Sequence, residues 1–217
     1  MSGHFSLAAG SGNTITRHPG AWPAQQAIPC NTPIVHHRGV FEDFSVNIKA
    51  FYWINSHHTN VSDVFFRFYS YLGSGWVLLL ILLFAFFYRK RLVLPLIIAI
   101  AIETIIVTVM KQVFDQPRPA ALLDPNTVHF VTEKLFLCSF PSGDTAMAAV
   151  IGFVMQYGER WGVRLLWILY PVLIAYERVY IGVHFPLDVV TGFVIGALVA
   201  LGTLWFMRKR LLEKSAA

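Results

Sequence analysis

The sequence predicts an all-α protein, a polytopic membrane helix bundle with about five transmembrane helices and an N-terminal amphipathic helix at the membrane interface. Hydrophobic residues make up 56% of the 217 residues and charged residues 13%, against roughly 25% charged residues in an ordinary globular domain. The mean hydropathy is +0.57. Several apolar runs approach the ~20 residues that a helix needs to cross a bilayer. Lipid is therefore the predicted solvent of most of the chain.

The beginning of the chain differs in composition from the rest. Residues 1–40 are polar, rich in Gly, Pro, Asn and His, and show no apolar periodicity. They lack the charged start and apolar core of a standard signal peptide. We expect residues 1–40 to form a flexible N-terminal tail and residues 41–217 to form a single membrane-embedded domain.

An amphipathic helix is predicted to open this domain. Phe44, Ile48 and Phe51 recur at helical spacing, and Asp43 is the candidate N-cap. The aromatic residues suit the headgroup zone of a bilayer, so this helix is expected to lie on the membrane. A second helix is expected to begin near Ser62 and Asp63 and to continue into the first span.

Five apolar segments follow, and the polar stretches between them predict their orientation. The predicted spans are residues 66–88, 92–112, 144–158, 163–181 and 187–207. Alternating them places the three basic clusters, at 89–91, 159–164 and 208–210, on one side, which the positive-inside rule identifies as cytoplasmic. The third span is short and rich in Ala and Gly, which is typical of a helix in the interior of a bundle.

Charge and cysteine content restrict the possible functions less than the apolar composition does. The net charge of +5 is explained by basic residues beside membrane spans, and no basic stripe suited to nucleic acid is present. Cys30 and Cys138 both fall in segments predicted on the outer side. The sequence leaves a disulfide and two unpaired thiols equally open.

The unusual polar residues fall on the predicted outer side. Lys111 ends the second span and Arg118 follows in the loop; singly, each is an ordinary span anchor or loop residue. Ser142 and Gly143 open the third span after Pro141. A helix start of this kind is an ordinary cap and also an anion site, since its backbone N–H groups and positive dipole end face outward.

A histidine supported by a carboxylate completes this set. Arg178 lies near the outer end of the fourth span, where a charge requires a partner or a function. His184 lies in the following turn, and Asp188 comes four residues later, within reach of the imidazole. A carboxylate on one ring nitrogen leaves the other nitrogen available as a nucleophile or base.

Together these residues predict a phosphate site. Basic side chains hold phosphoryl oxygens, and a positioned nucleophile attacks phosphorus. A hard cation would require several carboxylates, which this set does not offer. We therefore expect no metal and no other cofactor.

The spacing of these residues resembles the type 2 phosphatidic acid phosphatase superfamily. The resemblance rests on Lys111 through Arg118-Pro119, on Pro141-Ser142-Gly143, and on Arg178 through His184 to Asp188. It implies a five-span fold with the site at the outer face. By this resemblance His184 attacks phosphorus to form a phosphohistidine and Asp188 orients it. The phosphoryl oxygens would be held by Lys111, Arg118, Arg178, Ser142 and the Gly143 amide.

Two residues depart from the family pattern. Asp144 stands where the family usually has His, the group taken to protonate the leaving oxygen, and Glu177 stands where it usually has Ser. We expect Asp144 either to be protonated, as a catalytic acid, or to turn toward Arg178 or His184. A weaker acid suits a good leaving group, which favours a diphosphate lipid such as undecaprenyl diphosphate, or the 1-phosphate of lipid A. Loss of catalysis is the alternative interpretation.

The expected function is hydrolysis of an amphiphilic phosphate lipid, with the bilayer as the other partner and with no nucleic acid. The expected location is a bacterial inner (plasma) membrane, with the site facing the periplasm or exterior. A lipid-to-lipid phosphotransferase and a lipid carrier or flippase with a non-catalytic phosphate pocket remain as alternatives. Glu103 is expected to face the bundle interior, and His57 and His58 to be solvated. The sequence leaves the place of His129 and the oligomeric state undetermined.

Overall fold

The apolar runs of the sequence fold into α-helices joined by turns and by one long loop. The computed structural model describes residues 45–73 and 75–213, and this part of the chain contains no β-strand. In chain order the helices are α1 (Ser45–Asn55), α2 (Asn60–Tyr69), α3 (Gly75–Tyr88), α4 (Lys90–Phe114), α5 (Pro119–Leu122), α6 (Gly143–Met155), α7 (Trp161–Tyr180) and α8 (Pro186–Glu213). The predicted all-α class is confirmed. The tail 1–40, Cys30 and Asp43 lie outside the described residues.

Four of the predicted spans correspond to α4, α6, α7 and α8, whereas the first, 66–88, begins within α2 and ends with α3. Two described helical stretches are long and apolar enough to cross a membrane, Lys90–Leu122 and Pro186–Lys209. A third is added if Asn60–Gly73 and Trp76–Tyr88, which meet at a 59° bend, form one broken span. Helix α6 has only 13 residues, or about 20 Å of rise. The number of five spans therefore stays a prediction.

Helix α6 lies at the centre of the bundle, between α4, α7 and α8. Nine of its 13 residues are buried, including Ala146, Ala149 and Val150, which are fully inaccessible. Small residues allow α6 and α8 to pack closely, as predicted for the third apolar segment. An added Cβ at Gly196 of α8 would lie 2.2 Å from the carbonyl oxygen of Ala146, and one at Gly192 would lie 2.4 Å from that of Ser142.

Two ends of the bundle can be distinguished by their polar contacts. Arg89, from the first basic cluster, donates a 2.5 Å hydrogen bond to the carbonyl of Tyr157 and forms an ion pair with Glu159. The first two basic clusters therefore share one end, in agreement with the predicted alternation. The loop between α5 and α6 and the turn before α8 meet at the opposite end, because Ser142 N donates to the carbonyl oxygen of Asp188 at 3.0 Å.

Helix α1 packs against α7 and α8, with the aromatic side chain of Phe51 buried in the contact. Phe51 is fully buried, with its ring centroid 5.4 Å from that of Phe185, and it belongs to a core cluster with Val179 and Val189. By contrast, Trp53 is 67% exposed. The predicted helix is thus present and anchors the turn that precedes α8. Its position at a membrane surface stays a prediction.

Helix α2 begins slightly earlier than the sequence predicts. Thr59 is the N-cap, and its side chain and that of Ser62 form a reciprocal capping box. The first helical residue is therefore Asn60 rather than Ser62 or Asp63, because the cap satisfies the N–H groups of the first turn.

Candidate active site

The residues predicted to handle phosphate are brought together at one end of the bundle by four separate segments. These segments are the end of α4 with the loop that follows it, the start of α6, the last turns of α7, and the turn that leads into α8. Their side chains contact one another directly or through a shared neighbour. The residues concerned are Lys111, Arg118, Ser142, Gly143, Asp144, Arg178, His184 and Asp188.

His184 is the buried centre of the site. It is 2% exposed and lies in the turn between α7 and α8, where its backbone N–H donates to the carbonyl of Arg178 at 3.3 Å. Its Nε2 atom lies 3.2 Å from Nη1 of Arg118. Because a guanidinium only donates, Nε2 must accept, and the ring proton is therefore assigned to Nδ1. Nε2 thus carries the lone pair of the ring, and in this structure that lone pair accepts the hydrogen bond from Arg118.

Asp188 fixes the other side of the imidazole. Its Oδ2 atom lies 3.4 Å from Nδ1 of His184 and accepts a 2.9 Å hydrogen bond from the backbone N–H of Phe185. The predicted i, i+4 contact is therefore present, although the pair is long for a hydrogen bond. Catalytic pairs are often loose before substrate binds.

Ser139 contacts both Asp188 and His184. The sequence did not predict this role for it. The residue is fully buried. Its hydroxyl donates to Oδ2 of Asp188 in a short hydrogen bond and lies 3.4 Å from Nδ1 of His184. Nothing in the sequence distinguishes this serine from an ordinary loop residue. Its position three residues before Ser142 is the one feature of the sequence that could have placed Ser139 near the site.

Arg118 and Lys111 are held by backbone carbonyl groups. Arg118 is 9% exposed, and its Nε and Nη1 atoms donate to the carbonyls of Leu137 at 2.8 Å and Val183 at 3.1 Å. Lys111 Nζ donates to the carbonyl of Cys138 at 3.0 Å. These bonds fold the segment before α6 over both cations.

The start of α6 lies beside Lys111. Ser142 is the N-cap, is fully buried, and has its hydroxyl 3.0 Å from that of Thr145. An added Cβ at Gly143 would lie 3.8 Å from Cε of Lys111. The lysine stem therefore runs beside a helix N-terminus whose N–H groups and dipole favour an anion.

Arg178 contacts both residues that depart from the family pattern, Asp144 and Glu177. Its Nη1 atom lies 3.0 Å from Oδ2 of Asp144, and its Nε atom lies 2.8 Å from Oε2 of Glu177. The Glu177 contact is an ion pair without an aligned hydrogen bond. Nη2 donates to both oxygen atoms of Ser70 at 3.2 Å. Of the orientations expected for Asp144, the structure has the one toward Arg178.

The electrostatic environment keeps His184 neutral. Burial lowers the pKa of His184 well below its usual value, and the positive charges of Arg118, Lys111 and Arg178 lower it further. A neutral imidazole with a proton on Nδ1 is the form that attacks phosphorus. The arrangement therefore combines a neutral imidazole with three cations suited to phosphoryl oxygens.

Glu103 and His129, which the sequence analysis also considered, lie outside the candidate site. Glu103 is 2% exposed, in agreement with its predicted position toward the bundle interior. The sequence could not place His129, and in the structure its Nε2 atom lies 2.9 Å from Oδ2 of Asp63.

Comparison with known proteins agrees with this geometry. The sequence model of the PAP2 superfamily matches residues 92–212, which is more than half of the chain. The chain belongs to the PAP2 superfamily. The family resemblance predicted from the sequence is thereby confirmed, and the matched region contains every residue of the candidate site.

Individual relatives extend the match beyond the site. The crystal structure of LpxE from Aquifex aeolicus is 47% identical, with a TM-score of 0.73 over 76% of this chain and 98% of that chain. An undecaprenyl-diphosphatase of Sulfolobus acidocaldarius is 27% identical over 73% of this chain and 77% of its own length. Undecaprenyl-diphosphatase BcrC of Bacillus subtilis is 29% identical over 73% of this chain and 80% of its own length.

Proposed function

We propose that the protein is a metal-independent lipid phosphatase that hydrolyses a phosphate or diphosphate lipid through a phosphohistidine on His184. The favoured substrate is a polyprenyl diphosphate such as undecaprenyl diphosphate, and lipid A 1-phosphate is the second candidate. The observation that carries the proposal is the buried His184 ring, with Nε2 beside Arg118 and Nδ1 facing Ser139 and Asp188. This tautomer and these neighbours suit nucleophilic attack on phosphorus.

The reaction proceeds in two steps. In the first, the Nε2 lone pair of His184 attacks the terminal phosphorus, and the bond from phosphorus to the bridging oxygen breaks. The leaving group keeps that electron pair, while the positive charge of the phosphoimidazole is offset by Asp188. In the second, water attacks the phosphohistidine, inorganic phosphate leaves, and Nε2 regains its lone pair. Lys111, Arg118 and Arg178 offset the charge on the phosphoryl oxygens in both steps.

The leaving group is the basis for the substrate preference. Asp144 forms a 3.0 Å ion pair with Arg178, and a carboxylate engaged in an ion pair is a poor proton donor. A phosphate leaving group, with a second pKa of about 6, needs little protonation. An alkoxide needs a proton transferred to it as the bond breaks. Asp144 therefore favours a diphosphate, and the names of the two undecaprenyl-diphosphatase relatives support the same substrate.

The proposal is tested by phosphate release from a panel of lipids. The purified protein is assayed with undecaprenyl diphosphate, lipid A and phosphatidic acid in the same detergent. We expect kcat/KM to be highest for the diphosphate or for lipid A, and we expect His184→Ala to lower it by more than about a thousandfold on every lipid. His57→Ala is the matched histidine control and retains activity. Equal or faster turnover of phosphatidic acid would overturn the substrate preference.

The two alternative functions give different outcomes in the same assay. A phosphotransferase would release little inorganic phosphate and would label an added acceptor lipid instead. A carrier would bind the lipid and release no phosphate, and His184→Ala would leave its binding intact. Phosphate release that His184→Ala abolishes therefore separates hydrolysis from both.

The proposed location is the inner (plasma) membrane of a bacterium, with the site at the outer or periplasmic face. The placement of the first two basic clusters at the end opposite His184 supports this orientation. The lipid substrate would then approach from the outer leaflet.

A further inference from the structure

A second cluster of ligating side chains lies on residues that the phosphate chemistry does not use. It consists of His58, in the link between α1 and α2, Asp63, in the first turn of α2, and His129, in the loop between α5 and α6. One ligand atom from each lies within 4.8 Å of the others. We propose that these three residues bind a divalent transition-metal ion, with zinc as the preferred ion. The ion acts as a structural crosslink, and the phosphate chemistry stays independent of it.

The side chains require only small movements to form such a site. His129 Nε2 already lies 2.9 Å from Oδ2 of Asp63, and the rings of His58 and His129 stack at 3.7 Å with an interplanar angle of 8°. Ligand atoms around a tetrahedral zinc ion, at 2.0–2.1 Å from the metal, are roughly 3.3 Å apart. His58 is exposed, so its ring is free to rotate toward the other two ligands.

Neighbouring groups orient two of the three ligands. Tyr180 donates a 2.6 Å hydrogen bond to Oδ1 of Asp63, which leaves Oδ2 for the ion. The buried side chain of Asn55 accepts from the backbone N–H of His129 and donates to its carbonyl, both at 2.8 Å. Groups that orient the ligands in this way are a regular part of protein metal sites.

The ligand chemistry selects the class of ion. Two imidazoles and one carboxylate suit zinc, whereas calcium and magnesium prefer sets of oxygen atoms. A cavity of about 240 Å³, bordered by His58, Thr127 and His129, adjoins the cluster. It has room for a water molecule as the fourth ligand.

Metal binding would join the segments that carry His58, Asp63 and His129, and the last of these lies near the turn that carries His184. The segment after His129 contacts that turn directly, because Val131 N donates to the carbonyl of Ile181 at 3.5 Å. Gly182, at φ +84°, leaves room for the carbonyl of His129, which would lie 3.0 Å from an added Cβ. We therefore expect the ion to stabilise the α5–α6 loop against the turn that carries His184.

Zinc titration of the intact, tag-free protein tests the site. Because histidines also occur at positions 4, 18, 36 and 37, the test rests on the difference between variants. Calorimetry in detergent should give one zinc ion that His58→Ala, His129→Ala and Asp63→Asn each weaken by at least about tenfold. His57→Ala, which removes the adjacent histidine, should bind as the wild type does. Cobalt(II) should show the visible bands of a tetrahedral site in the wild type and lose them in His58→Ala.

Thermal unfolding provides a readout independent of binding. Zinc should raise the Tm of the wild type and of His57→Ala, because a ligand that binds only the folded state stabilises it, and should leave the Tm of His58→Ala unchanged. Asp63→Asn keeps the acceptor for Tyr180 and serves if His58→Ala does not fold. Zinc binding that survives in all three ligand variants would overturn the proposal. So would zinc binding that only His184→Asn removes.

Discussion

Arg178 is the residue at which the two departures of this chain from its family pattern meet. Asp144 and Glu177 are separated by more than thirty positions in the sequence, yet both carboxylates lie within 3.0 Å of one guanidinium. Glu177 is fully buried, and a buried carboxylate requires a cation. Part of the charge of Arg178 is therefore offset within the protein, and we expect Lys111 and Arg118 to provide most of the positive charge for phosphate.

Restoring the acid of the family should change which lipid is preferred. Asp144→His supplies a proton donor at the leaving oxygen. We expect the ratio of kcat/KM for phosphatidic acid to that for undecaprenyl diphosphate to rise about tenfold or more, because proton donation matters most for an alkoxide. Asp144→Asn removes the charge without adding an acid and should not raise this ratio. An unchanged ratio in Asp144→His would contradict the link between Asp144 and the leaving group.

Ser139 should act as a positioning residue for Asp188 and His184. Ser139→Ala removes a hydrogen bond to a buried carboxylate, which contributes about 1.5–3 kcal/mol. We expect kcat to fall about 10- to 100-fold with little change in KM, because the hydroxyl orients the nucleophile without touching the lipid. The control is Thr203→Val, which removes a buried hydroxyl bonded to the carbonyl of Val199 and should leave kcat unchanged. A change in KM with kcat unaffected would contradict this role.

The lowered pKa of His184 predicts the response to acid. The folded protein keeps this imidazole neutral below the ordinary histidine value of about 6.5, so the acid limb of kcat/KM should lie below that pH. The unfolded chain takes up a proton there that the folded chain does not. Stability should therefore fall with decreasing pH, by up to about 1.4 kcal/mol per pH unit from this group.

This dependence can be isolated with His184→Asn, which does not titrate. Unfolding measured between pH 7.5 and 5.5 should show a smaller loss of stability in this variant than in the wild type. Equal losses in the two proteins would contradict the assignment of a depressed pKa to His184.

At the scale of the helices, the site depends on the close packing of α6 against α8. The hydrogen bond from Ser142 N to the carbonyl of Asp188 joins the first turns of both helices at 3.0 Å. Gly192 and Gly196 make this approach sterically feasible, because a Cβ at either position would lie within 2.4 Å of an α6 carbonyl oxygen. These two glycines therefore allow the start of α6, which is predicted to bind phosphate, to lie close to Asp188, which is predicted to support the nucleophile.

Gly196→Ala should separate these helices. The added methyl group would meet backbone as well as Ala149 Cβ at 2.8 Å, so we expect a loss of about 1–3 kcal/mol of stability together with lower kcat. Gly202→Ala is the matched control, since nothing lies within 4 Å of its added Cβ. It should be neutral or stabilising by about 0.5–1 kcal/mol. Thermal unfolding and phosphate release on both variants test this, and equal stability would contradict the packing argument.

At the scale of the whole molecule, the two ends of the bundle differ in chemistry. One end carries Arg89 with Glu159 and the carbonyl of Tyr157. The other carries the phosphate site and the cluster of His58, Asp63 and His129. Such a division is what the positive-inside rule requires if the phosphate site faces outward.

Thiol labelling in intact cells tests this orientation. A membrane-impermeant maleimide should label Asn126→Cys, in the exposed α5–α6 loop, and should not label Arg91→Cys until the cells are permeabilised. Both positions are exposed, and the unmodified chain serves as the background control. Labelling of Arg91→Cys alone in intact cells would reverse the proposed topology.

The sequence by itself determined the class of the fold and the family, and it predicted the residues of the site. Apolar runs and small residues specify buried helices because lipid and close packing restrict composition strongly. The spacing of Lys111, Arg118, His184 and Asp188 identified the family because its chemistry requires these residues at these intervals. The start of α2 was misplaced by two or three residues because Thr59 caps it through a side-chain bond that periodicity does not show.

Only the tertiary structure decided which residues contact one another across distant segments. Ser139 reaches Asp188, Glu177 and Asp144 meet at Arg178, and His129 meets Asp63. Each of these contacts depends on how the α5–α6 loop and the helix ends pack. Hydropathy and spacing describe each segment separately, whereas a hydrogen bond or ion pair between segments is fixed by packing geometry. The sequence therefore predicted the nucleophile, and the structure showed which groups contact it.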